Sequence, residues 1–265
     1  MIEITDTVSL VKKVEEVNEL LKGQVWWRGQ NDFKWKLEPS VFRDEFKDYD
    51  EKSGIQRFMH KAQSRHSSVP PISEKQNWLF LMQHYGLPTR LLDWTESPLI
   101  ACYFAIDPNY DEADGALFAL SPYKLNEDQV GVHKLLMPYD SPAVEIINST
   151  FKDDQENVEK IIAIRPAEVD LRLLTQLSVF TLHGHNKLLE KLPNSQEFII
   201  KIKIPKNAKK ELRKELKRLG VRESNIFPEL DHLAQEIKST KFKKSRLSSI
   251  SFEDNDIQVS GESAT

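Results

Sequence analysis

One cysteine, Cys102, stands in 265 residues, so the chain makes no internal disulfide, and the apolar neighbours Ile100, Ala101, Tyr103 and Phe104 leave that thiol unsuited to catalysis. No run of about 18 apolar residues is present, and the first residues lack a signal-peptide pattern. A cytoplasmic protein with no membrane partner is therefore expected. No GxGxxG, GxxxxGK, HExxH or GxSxG occurs, which removes the commonest nucleotide, metal and serine-hydrolase readings. His60 and His66 have no ligand partners at metal spacing, so no metal site is expected. The net charge of −4 argues against a globally basic nucleic-acid binder, although charge can be segregated locally.

A hydrophobic content of 39% suffices for one core. The densest stretch is Gln83 to Ala105, QHYGLPTRLLDWTESPLIACYFA. A helix with Ser73 and Gln76 at capping-box spacing runs into His84 and stops at Gly86 and Pro88. Ser97 and Pro98 open a second helix, through Ile106, that is apolar nearly all round and predicted to be buried. Between the two helices, Arg90 and Asp93 either pair with each other or face a polar ligand, because buried charges need partners.

Apolar spacing predicts a helix over 6–21, capped by Asp6. Gln24 to Gly29 reads as a short buried strand ending in Arg28 and Gly29. A guanidinium forks two donors and a glycine lets a ligand approach, which suits a phosphate or carboxylate; a strand end with a solvated arginine is the alternative. Residues 51–66 predict a polar helix, 115–120, 161–164, 176–183 and 198–204 predict strands, and 229–237 a last helix. Asn207 to Leu219 predicts a helix with Leu212, Leu216 and Leu219 inward and Lys209, Lys210, Arg213, Lys214, Lys217 and Arg218 outward, a face able to meet nucleic-acid phosphates. The fold class is α+β, a small mixed or split β-sheet core flanked by helices. A single domain spans 1–238, with a weakly patterned insertion at 121–160, and 239–265 is a disordered tail.

Trp27-Arg28-Gly29-Gln30, Leu37, Pro39-Ser40, Arg43, the Gln83 to Ala105 stretch, Gln176 with Phe180 and His183, and Gly220 with Ile226 to Asp231 together resemble the FRG domain family over about 20–238. The family is known largely from bacteria and their phage-defence loci. A weaker resemblance, to ADP-ribosyltransferases, rests on Arg28-Gly29 followed by Thr95-Glu96-Ser97-Pro98, Ala101 and Phe104-Ala105. It implies an ADP-ribosyltransferase-like fold and NAD as co-substrate, with RNA or protein as the modified macromolecule and a toxin or defence role.

On that resemblance Arg28 holds the diphosphate or ribose, Thr95 shapes the nicotinamide pocket, Tyr85 stacks on the ring, and Gly29, Gln83, His84 and Arg90 complete the cofactor contacts. Gln176 stands where glutamate is usual, and a neutral amide orients a ribose hydroxyl without stabilising positive charge. Three alternatives follow: Glu229 or Asp231 supplies the carboxylate, catalysis relies on positioning, or the site binds without turnover. The competing readings are a binding module in which Arg28, Arg90 and His84 recognise phosphate, or the 207–219 helix recognises nucleic acid, and an interaction protein for an antitoxin or chaperone through 121–160 and the tail.

Overall fold

The computed structural model describes residues 3–65, 69–152, 158–166 and 171–239; the expected tail from residue 240 onward and His66 lie outside the described residues. Helix α1 (Thr7–Leu21) starts at a reciprocal cap in which the Asp6 carboxylate accepts the Ser9 N–H at 2.7 Å and the Ser9 hydroxyl accepts the Asp6 N–H. Strand β1 (Trp26–Gln30) follows, then α2 (Glu51–Ala62), α3 (Lys75–His84), β2 (Leu91–Thr95) and α4 (Pro98–Phe104). Next come β3 (Gly115–Leu120), α5 (Pro122–Val130), α6 (Ser141–Phe151), β4 (Ile161–Ile164), α7 (Leu171–Thr175) and β5 (Ser178–His183). The chain closes with α8 (Ser195–Phe198), β6 (Ile199–Ile204), α9 (Lys206–Arg218), α10 (Glu223–Ile226) and α11 (Leu230–Ser239).

The fold is α+β, as expected, but its six strands form one sheet of order β4-β5-β2-β1-β3-β6 with every neighbouring pair antiparallel, rather than a mixed one. The sheet is nearly divided in the middle. β1 and β2 share a single registered pair, Trp27 with Thr95, whereas their outer neighbours pair along their lengths.

Alternation along the strands sends Trp26, Trp94 and Phe118 to one face, against Leu125, Leu189 and Phe198. Trp27, Leu117 and Ile202 point to the other face, beneath α1, α4 and α9. Leu91, Ile162 and Phe180 meet α3 and α6 through Leu79, Phe80 and Ile146. Each such fully buried side chain contributes about 1.5–3 kcal/mol of transfer free energy.

The region expected as a weakly ordered insertion supplies α5 and α6. Leu125, Ile146 and Ile147 are buried there, and the Asn126 amide pairs with both the N–H and the carbonyl of Ala163, at 2.8 and 3.0 Å. That side chain caps the β4 edge as another strand would, which closes the edge to foreign strands. Two helix starts differ from expectation: α3 begins at Lys75 after Glu74, and α9 at Lys206 after Pro205, neither with a side-chain cap. At α9 the fixed φ of Pro205, −59°, already suits the helix start, and Asn207 falls inside the first turn.

Candidate functional site

If the β1–β2 register continued, Gly29 would face Asp93. The ladder stops instead, the strands part, and Arg28 Nη1 donates to the Asp93 carbonyl at 2.6 Å, replacing the missing ladder partner. The parting opens a cleft of about 860 Å³. Five sequence-derived candidates line it: Arg28, Gly29, Gln83, Thr95 and Gln176. Asp93, Arg43, Arg172, Phe104, Trp35 and Tyr110 join them.

The Arg28 side chain is 16% exposed, and its Nε is buried with no hydrogen-bond partner. Burial, with a smaller push from Arg43, pulls the guanidinium down to about 10 against the opposing pull of Asp93, so it stays charged at neutral pH. The Asp93 carboxylate stands 3.9 Å from Arg28 Nη1, because Gln83 Nε2 holds Oδ2 at 2.8 Å. Gln83 in turn accepts from the Thr89 hydroxyl. A mostly buried cation with an orphaned donor and a carboxylate kept at a distance is a site shaped for an anion.

Thr95 borders the cleft, but its hydroxyl is committed: it donates to the Gln176 carbonyl at 2.7 Å and accepts the Ser97 N–H at 3.0 Å. It thereby ties the end of β2 to the turn before β5. The Gln176 amide donates to the Ile226 carbonyl at 3.3 Å. Glu229 is not part of the lining. Its Oε1 lies 3.9 Å from Arg172 Nη1, Arg172 stands over the Phe227 ring at 5.1 Å, and Glu229 Oε2 is buried without a partner.

Gly29 serves packing. A Cβ there would stand 1.8 Å from the Ala101 carbonyl and 2.7 Å from the Ala105 nitrogen, so the missing side chain admits the backbone of α4 rather than a ligand on that face. Ala101 and Ala105, both wholly buried, complete the close approach.

Arg90 is outside the cleft. It is 2% exposed, bonded through Nε to Glu51 Oε2 at 2.8 Å, and lies over Phe42 at 5.6 Å. Burial raises the Glu51 carboxyl above its usual range against the pull of Arg90. Arg90 and Asp93 do not pair with each other: Arg90 pairs with Glu51 away from the cleft, and Asp93 borders the cleft beside Arg28. His84 and Tyr85 also miss the lining. Tyr85 is 56% exposed at the end of α3, with its ring against His84 and Phe58. Cys102 is buried, and burial pushes its thiol up to about 12.

Lys209, expected outward, is wholly buried, and on the outer face of α9 Arg213 and Lys214 are paired with Asp111 and Glu211. Trp35 and Tyr110 are the aromatic cleft residues that sequence reasoning passed over. The signal for Trp35 was the Lys34-Trp35-Lys36 triplet, a large aromatic set between charges in a loop; Tyr110 had none.

Fold and site together define an α+β domain whose Arg-Gly pair lies where a sheet divides to form a cleft. Residues 23–114 match the model of the FRG domain family. The match takes in Arg28, Gly29, Gln83 and Thr95 and stops short of Gln176 and Glu229. No curated protein and no solved structure matches the chain. Among the described residues, no helix is long and apolar enough to cross a membrane, and no group of three or more His, Cys, Asp or Glu side chains is placed to hold a metal ion.

Proposed function

We propose that the cleft binds NAD and that the protein is ADP-ribosyltransferase-like, passing ADP-ribose to a macromolecule. The observation that carries this reading is the Arg28 guanidinium, mostly buried at the parting of β1 and β2 with its Nε unpartnered. The sheet's division into two three-stranded halves, with the arginine on the first strand, supports the resemblance to that fold.

In the proposed reaction the bond between nicotinamide and ribose C1′ breaks, its electron pair leaves with nicotinamide, and an acceptor nucleophile bonds to C1′ as its proton passes to a base. Arg28 and Arg43 hold the diphosphate. Gln176 orients a ribose hydroxyl. The carboxylate that glutamine cannot replace is assigned to Glu229, which lies outside the lining but 3.9 Å from the cleft residue Arg172. A toxin or defence role, drawing on cytoplasmic NAD, follows from such modification.

A second reading, a nucleotide-binding module without turnover, is favoured by Gln176 and by the committed Thr95 hydroxyl. Incubation with radiolabelled NAD and cell lysate separates the two. Label transfer that is lost in Arg28→Ala and in Glu229→Gln supports the transferase. NAD binding with no transfer and no release of nicotinamide supports the module, and absence of NAD binding overturns both.

A further inference from the structure

Trp26, Trp27, Trp78 and Trp94 are all 3% exposed or less, whereas Trp35 is 41% exposed, as is Tyr110. The two rings meet edge to face with centroids 5.2 Å apart, and both border the cleft. We propose that this pair is a stacking platform for a base of single-stranded nucleic acid, making a single strand the polymer that enters the cleft; the proposal rests on the cleft being the functional site.

The chemistry beside the rings fits that occupant. Lys34 and Lys36 flank Trp35, are exposed, border the same cleft, and form no salt bridge among the described residues. Aromatic faces take up any base, and ammonium groups on either side meet the phosphates before and after it. Glu38, Asp44 and Glu45 also border the cleft, so its charge is mixed and a polyanion filling it is repelled in part. A strand that offers one unstacked base and a few phosphates fits this charge pattern better than a duplex does.

The exposure of the rings is built in by two lysines that are otherwise costly to bury. Lys209, 0% exposed, donates to the Asn31 carbonyl at 2.8 Å and the Tyr110 carbonyl at 2.9 Å. Lys201 donates to the Phe33 carbonyl at 2.5 Å and stands over the Phe33 ring at 4.1 Å. Burial lowers the pKa of both. The two ammoniums thus fix the backbone just before Trp35, at Asn31 and Phe33, and at Tyr110 itself, which frames both rings at the cleft.

Fluorescence anisotropy of a labelled single-stranded RNA of about 10 nucleotides with the full chain tests this. Trp35→Ala and Tyr110→Ala are each expected to weaken binding about tenfold with unchanged thermal unfolding, and Trp35→Phe to restore most of it. Lys34→Gln and Lys36→Gln are each expected to reduce the salt slope by about one. Parental affinity in Trp35→Ala, or no RNA binding by the parent at low salt, overturns the proposal. NAD titration of the same proteins keeps the two readings apart. NAD binding without RNA binding sinks the strand and leaves the nucleotide cleft, with a protein as the acceptor. RNA binding that depends on Trp35, without NAD binding, supports the platform and sinks the NAD reading.

Discussion

Arg28 and Asp93 meet through the wrong part of the aspartate: the guanidinium bonds the Asp93 carbonyl at 2.6 Å, while the Asp93 carboxylate stays 3.9 Å from Nη1. Gln83 keeps it there through its bond to Oδ2. A carboxylate free to close on the arginine would compete with any anion in the cleft. Gln83→Leu is therefore expected to weaken nucleotide binding, and Asp93→Asn to strengthen it, each about twofold to fivefold, the scale of an exposed ion pair. Titration of NAD into the two variants checks both signs.

Arg90 and Glu51 form an ion pair at 2% and 5% side-chain exposure. Removing one partner strands the other charge in the core. Arg90→Ala is expected to lose about 3–5 kcal/mol in urea unfolding, while the protein that remains folded binds nucleotide as the parent does. A loss of affinity without a loss of stability would return Arg90 to the site.

His183 is wholly buried, with Nε2 3.0 Å from the Thr181 hydroxyl and Nδ1 unpartnered. Burial, helped by His185 and Arg28, pushes it down to about 3 from 6.5. The unfolded chain takes up a proton below pH 6.5 that the folded chain refuses, so its share of stability is complete above 6.5 and is lost as pH falls towards 3. The slope is at most about 1.4 kcal/mol per pH unit. Unfolding free energies at pH 7, 6 and 5 should fall more steeply in the parent than in His183→Gln; equal slopes would contradict the assignment.

β3 and β4 were legible because Gly115 to Leu120 and Ile161 to Ile164 are buried on both faces and read as unbroken apolar runs. β2 was not, since Asp93 interrupts it at the cleft, where function and strand patterning conflict. Arg28 could be read from its place between a buried tryptophan and a glycine. Arg90 looked equally suited to a ligand, because its partner lies 39 residues earlier in the chain and no local pattern marks Glu51 as buried. Lys209 looked solvated for the same reason: its acceptors, the carbonyls of Asn31 and Tyr110, carry no sequence signature.

Calorimetric titration of NAD into the parent and into Arg28→Ala tests most directly whether Arg28 grips an anionic nucleotide where the sheet divides. Binding by the parent and a loss of about 10- to 150-fold in the variant are expected, the worth of one or two charge-assisted hydrogen bonds, with thermal unfolding confirming that the variant is folded. Equal affinity in the two proteins, or no binding by the parent, would contradict that grip.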